Sequence, residues 1–160
     1  MRIRPFTDDD LPAAVRLTVE TFRPFFADHV RPLYGEELFA AQHGRWQQDY
    51  DDLLRTAHAP AARRWVAVAD TGATLAGLVA WSAAARPGTG AIDLLAVAPD
   101  HRRAQVGRRL CRHAFAALKA EGVGSVEVST GGDPFHAAAR ALYESLGFVG
   151  VPIVGYARTL

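Results

Sequence analysis

Between residues 91 and 97 the chain is apolar at every position except Asp93, and the run stops at Pro99. That is a strand's length, and a strand with no polar side must be covered on both faces. The chain must therefore fold as a sheet with helices on either side, a mixed α/β arrangement. The flanking sequence supplies such helices. Leu11, Val15, Thr18, Phe22 and Phe25 fall on one helical face. Ahead of them Thr7-Asp8-Asp9-Asp10 offers an N-cap and an acidic first turn. Pro24 is expected to end that helix near residues 21–23. After a loop marked by Pro32 and Gly35, the stripe Phe39, His43, Trp46, Tyr50 and Leu53 predicts a second helix over residues 36–55, with Gly44 its weak point.

From residue 64 the period changes to two. Residues 65–69 and 74–82 flank Asp70-Thr71-Gly72-Ala73 and read as a hairpin, followed by a loop over residues 83–90. A helix is expected from about residues 105–107 to about 121, where Gly122 and Gly124 stop it. A strand over 125–130, a helix ending before Gly147 and short closing strands at 148–149 and 154–159 complete the chain. The order β-α-α-β-β-β-α-β-α-β-β predicts one α/β domain over residues 1–160. Its sheet is expected to be mixed and mostly antiparallel, with about seven strands and about four helices.

Composition narrows the function. Apolar residues make up 49% and charged residues 22% of the 160, a soluble-globular balance. No stretch approaches the ~18–20 apolar residues of a membrane helix, and the N-terminus shows no apolar signal region. A net charge of +1 gives neither nucleic acid nor an acidic membrane a reason to bind. The single cysteine, Cys111, suits a reducing cytoplasm. No pair among the six histidines has helical metal-ligand spacing, so no metal is expected.

The chemistry concentrates where that apolar strand gives way to a helix, in Val97-Ala98-Pro99-Asp100-His101-Arg102-Arg103-Ala104-Gln105-Val106-Gly107-Arg108-Arg109. A helix N-terminus leaves about four N–H groups unpaired and carries roughly half a positive charge. With arginines alongside, such a turn suits a diphosphate. The same arginines fit equally well as a solvated helix face. Gly-x-Gly-x-x-Gly and Walker loops are both absent.

This turn resembles the acetyl-CoA signature of the GNAT N-acetyltransferases, Gln/Arg-x-x-Gly-x-Gly/Ala, through Arg102, Gln105 and Gly107. Gln105 stands where the family has its first glycine, and it is expected to fit only with a negative φ and its side chain turned away. A second stretch, from Asp133 to Phe148, resembles the family's Asn-x-x-Ala-x-x-Leu-Tyr-x-x-x-Gly-Phe. There Ala139, Leu142, Tyr143, Gly147 and Phe148 match, and His136 replaces the asparagine.

The resemblance implies a GNAT-type acyl-CoA acyltransferase fold whose sheet splays at the cofactor cleft, between the strands at 92–97 and 125–130. It implies acetyl-CoA as acyl donor, with pantetheine along the backbone of Leu95, Ala96 and Val97. The diphosphate would then sit on Arg102, Arg103, Ala104, Gln105, Val106, Gly107 and Arg108, with His136 nearby. It further implies Tyr143 as proton donor to the leaving thiolate and the Val97 amide as oxyanion donor. Asp93 shares a strand face with Leu95 and Val97 by alternation; it is either a base for the acceptor or an acid paired with an arginine. Phe22, Phe26, Tyr34 and Trp81 are expected to wall the acceptor site. The implied reaction acetylates a primary amine of a small molecule or peptide, with a noncatalytic CoA-binding module as the alternative. Pairing of C-terminal strands would allow a homodimer.

Overall fold

The computed structural model describes the backbone of residues 1–160 and every side chain except those of Ala84 and Ala85. Five strands form one sheet in sequence order: β1 (Arg2–Pro5), β2 (Arg64–Asp70), β3 (Leu75–Arg86), β4 (Thr89–Val97) and β5 (Ser125–Val128). The first four pair antiparallel, and β5 runs parallel to β4. The parallel step requires a crossover, supplied by helix α4 (Val106–Ala120).

Both faces of the sheet are covered, as the apolar run in β4 demands. On one face α4 brings Leu110, Ala114 and Leu118 onto Val79, Trp81 and Ile92. On the other, helices α1 (Leu11–Pro24) and α3 (Trp46–Ala57) bring Leu17 and Leu54 onto Val66, Leu78, Leu94 and Ala96. Alternate residues of β2 and β3 serve opposite cores, the period of two made physical. A bidentate ion pair fixes the chain start: Arg4 donates from Nη1 and Nη2 to Asp10 at 2.7 and 2.8 Å, and from Nε to Asp70 at 2.8 Å. This pair holds the Asp10 carboxyl down at about 2.

Several expectations are corrected. Pro24 does not end the helical run. It removes one ladder donor, and the chain widens into a π-helical turn (Phe25–Val30) that leads into α2 (Arg31–His43). The helix expected over 36–55 is two, because α2 ends at His43 with Gly44 as its cap and α3 begins at Trp46; upstream, Gly35 (φ 73°, ψ 167°) breaks α2 itself. The loop expected over 83–90 is largely strand, since β3 runs to Arg86 and β4 starts at Thr89. After α5 (Ala137–Ser145) no further strand forms, so the sheet has five strands rather than about seven. Pro152 lacks a ladder donor, and Gly150 and Gly155 favour no strand; Val149, Val151, Ile153 and Tyr156 lie exposed. Among the described residues no helix is long and apolar enough to cross a membrane.

Candidate active site

The parallel pair β4–β5 comes apart partway along. It is in register from Thr89↔Ser125 to Ile92↔Val128, where β5 stops while β4 continues to Val97. The stretch 93–97 is thereby left without a partner on the β5 side, and a fork opens. A bulge marks its root: Ala80 pairs with Leu94 but Trp81 pairs with Ile92, so Asp93 is the extra residue. At the open end Val97 packs with the α4 core, and Thr21 Oγ1 of α1 donates to its carbonyl at 3.4 Å.

The turn between β4 and α4 faces the open end of the fork. Pro99–His101 makes a single 3-10 turn, and Arg103 and Gln105 then take left-handed conformations, φ 62° and 61°. Gln105 thus departs from the negative φ expected of it. The turn keeps a conformation that glycine would adopt freely, and two side chains bear it at about 1–2 kcal/mol each. The amides of Arg103, Ala104 and Gln105 make no backbone hydrogen bond among the described residues. Nor does the Gln105 side chain cap α4, so its first-turn N–H groups stay open. Residues 102–105 are exposed while Val106 is buried, so the helix is anchored and its mouth is free.

Gly107 is the meeting point of three elements. A Cβ there would lie 3.1 Å from Leu142 Cδ2 of α5, 3.6 Å from Val97 Cγ2 and 3.8 Å from Leu95 Cδ2. The structure therefore brings Leu95, Val97 and Gly107 of the anticipated cofactor set together. Arg108 is tied to α5, its Nη2 donating to Ser145 Oγ at 2.7 Å. Arg102 and Arg103 are exposed, with no ion pair among the described residues.

Tyr143 of α5 is buried, with its ring 5.7 Å from that of Phe148. Burial, with the Cys111 thiol adding to it, pushes the phenol well above its ordinary value, so it stays protonated at neutral pH. With Phe115, Val126 and Val128 it lines a groove of about 1020 Å³ along β5, and no residue of β4 or of the arginine turn takes part in that groove.

Asp93 is corrected in place. The bulge breaks the alternation, and Ser82 and Arg64 lie beside the carboxyl, which puts it on the α1–α3 face away from Leu95 and Val97. Desolvation raises it above the ordinary carboxylate value, with Ser82 and Arg64 working against that shift.

Of the aromatic wall, Phe22 stacks on Tyr50 at 5.2 Å and Phe26 on Trp46 at 4.4 Å, and Tyr34 joins them through His43 at 5.6 Å. Trp81 does not belong with them. It is buried in the α4 core between Trp65 and His113, because its position in β3 points to the opposite face.

Sequence reasoning placed His136 at the cofactor; the structure turns it to Asp133, with Nδ1 2.7 Å from Oδ2, and sets Phe22 and Phe25 against the ring. The spacing Asp133-x-x-His136 at a helix start was the available signal. Among the described residues no group of His, Cys, Asp and Glu is arranged to hold a metal ion.

Comparison with known proteins agrees with this geometry. The Acetyltransferase (GNAT) family profile matches residues 25–148. Among solved structures, the fold is similar to PaiA N-acetyltransferase from Thermoplasma acidophilum in complex with coenzyme A. That match has a TM-score of 0.77 at 17% identity, covering 96% of this chain and 92% of that one. It is also similar to a GNAT family acetyltransferase from Brucella melitensis in complex with acetyl-CoA (TM-score 0.63, 19% identity, 93% and 82% covered). A third is the ribosomal-protein-S18-alanine N-acetyltransferase from Escherichia coli (TM-score 0.62, 21% identity, 94% and 79% covered). No curated sequence matches the chain significantly. At such identities the structures speak for the fold alone; the profile spans most of the chain, including the fork, the left-handed turn and α5, and by it this protein belongs to the GNAT acetyltransferase family.

Proposed function

We propose that this protein transfers an acetyl group from acetyl-CoA to a primary amine of a small molecule or peptide, by direct attack within a ternary complex. The observation that carries the reading is the fork itself: an unpaired stretch of β4 ending at a turn whose amides are open. An extended pantetheine arm can run beside residues 93–97 as an added strand, with Leu95, Ala96 and Val97 offering backbone groups. The diphosphate falls to the amides from Arg103 to Gly107, with Arg102 and Arg103 supplying charge. Acetyl-CoA brings an activated thioester, and the rest is done by the chain. Tyr143, protonated and in α5, serves as donor to sulfur through its phenol hydroxyl. The Val97 amide stabilises the oxyanion. Asp93, exposed at the root of the fork, draws the acceptor's positive charge.

Acceptor-dependent release of CoA thiol with acetyl-CoA and a panel of primary amines tests the proposal; a protein that binds CoA but releases none is the noncatalytic module instead. That second reading is favoured by one observation, the burial of Tyr143 at 8% exposure. Tyr143→Phe should lower turnover more than it weakens CoA binding. Acetyl-CoA at 100 times its Kd should raise stability by about 2.7 kcal/mol, and no thermal shift at all would remove the site.

A further inference from the structure

We propose that the Asp133–His136 pair is the base that takes the proton from the acceptor ammonium, with Nε2 of His136 the accepting atom. The inference rests on the amine-acyltransferase reading and names the group that reading left open. His136 Nδ1 lies 2.7 Å from Asp133 Oδ2, and the His136 backbone N–H donates to Asp133 Oδ1 at 3.3 Å. Burial works to raise the Asp133 carboxyl, yet the hydrogen bond and charge of His136 hold it below the ordinary value, so it is ionised. An ionised carboxylate only accepts, so Nδ1 carries the hydrogen and Nε2 keeps its lone pair. A carboxylate that orients an imidazole and stabilises its protonated form is what a base of this kind requires.

The pair is built into the fold. Arg140 Nη1 donates to the carbonyls of Gly131 at 2.6 Å and Asp133 at 2.7 Å, pinning the turn that carries the carboxylate. A Cβ on Gly131 would collide with both Asp133 Oδ2 and His136 Nδ1, so only glycine leaves room for them. The imidazole is held edge-on by Phe25 and Phe135, with centroids at 4.7 and 4.9 Å, and Phe22 stands at 6.5 Å. Phe22 follows directly on Thr21, whose hydroxyl donates to the Val97 carbonyl at 3.4 Å, so one turn of α1 touches both the tip of β4 and the imidazole. Its side chain keeps 14% exposure, enough for an acceptor to reach one nitrogen. The titratable and charged groups around it are Asp133 on its own turn, Arg140 from α5, and His29 of the π-helical turn, whose ring lies 6.0 Å from Phe135. Asp93, the rival, faces Ser82 and Arg64 on the α1–α3 side of the sheet and has no imidazole beside it.

The step balances. An ammonium proton passes to Nε2, and the imidazolium is held by Asp133 until it loses that proton to solvent. The freed lone pair forms the C–N bond at the thioester carbon while the C–S bond breaks. Tyr143 gives its proton to the departing sulfur and is reprotonated by the nitrogen's surplus proton. One ammonium and one acyl thioester give one amide, one thiol and one proton.

The test measures CoA thiol release against pH with saturating acetyl-CoA and phenethylamine, spermidine or an alanine-initiated tripeptide as acceptor. His136→Gln should lower kcat by about 100-fold and abolish the acidic limb of kcat/KM, leaving acetyl-CoA affinity unchanged. Asp133→Asn should also lower kcat, because the imidazole loses the carboxylate that orients it. Wild-type turnover with an unaltered limb in His136→Gln overturns the inference and spares the acyltransferase reading; weaker acetyl-CoA binding with kcat intact makes His136 a cofactor ligand and overturns it too. No thiol release from the wild type with any amine overturns both. Nitrogen-15 NMR of the imidazole supplies a readout apart from turnover: neutral His136 must carry its hydrogen on Nδ1, and the opposite tautomer rules out Nε2 as the base.

Discussion

The sheet layer and the stretch of chain beyond β5 use their apolar residues differently. In β2–β4 and α4, Val68, Leu78, Val79, Leu110 and Cys111 are all 0% exposed, and each element is held by side chains from two others. Beyond β5 only Tyr143 among the large apolar residues is buried, while Val149, Val151 and Ile153 are 91, 78 and 86% exposed. What positions α5 and its approach is polar: Arg108 to Ser145, Arg140 to two carbonyls, Asp133 to His136. The lesson is a division of labour. A packed slab sets the strand that forks, and a hydrogen-bonded wing, adjustable by single contacts, supplies the groups around it.

The sharpest way to break that contrast is to hollow the slab. Leu110→Ala should cost about 2–5 kcal/mol in chemical denaturation, since the site is wholly buried between α4 and the sheet. A loss below about 1 kcal/mol would mean the slab is looser than it looks.

Acid should act on the slab's edge next. The Asp10 carboxyl sits at about 2 against its ordinary 3.8, chiefly through its hydrogen bonds from Arg4. A lowered carboxylate stabilises the fold fully above about pH 4, and that stability is lost as pH falls through 2, about 2 kcal/mol in all. Arg4→Ala should flatten this part of the stability–pH curve; an unchanged curve would exclude the pair as its source.

Gln105→Gly addresses the boundary between the two regions. Freed from a left-handed conformation, the turn should gain about 1 kcal/mol in thermal denaturation, with CoA binding equal or tighter. A large loss of CoA affinity would show that the glutamine side chain itself touches the ligand.

Smallest of all should be removal of residues 151–160, every one of them exposed, at no more than about 0.5 kcal/mol. A larger loss would show that this tail buries its valines on the open edge of β5, in its own chain or in a second copy.

Legibility followed the same division. The apolar run ending at Val97 announced a strand covered on both faces, and periods of two and 3.6 located β2, β3 and α1, because there side-chain pattern and burial coincide; Gly122 and Gly124 marked where α4 stops. The arginine turn was legible as a place, but its two left-handed residues were not: Arg103 and Gln105 adopt glycine's conformation without being glycine, and no residue code advertises strain. Asp93 was misplaced because a bulge adds one residue to a strand and leaves no compositional mark. Trp81 was grouped with Phe22 and Phe26 by chemistry alone, and one step along β3 put it on the other side of the sheet. Pro24 read as a stop, yet a widened helical turn carried the chain past it. The Asp133–His136 pair escaped notice because its meaning lies in what surrounds it, namely Gly131, Arg140 and two phenylalanines.

Gly107 leaves a gap of one methyl group between α4, the tip of β4 and Leu142 of α5. Its lone hydrogen acts as a shim of minimum thickness, and any larger side chain would prise the wing outward from the slab. The nearest atom is the end of a leucine, which can yield by a few tenths of an ångström, so alanine would open the mouth slightly and leave the chain folded. The spacing between α4, the tip of β4 and α5 is thus set at one backbone position whose side chain is a single hydrogen.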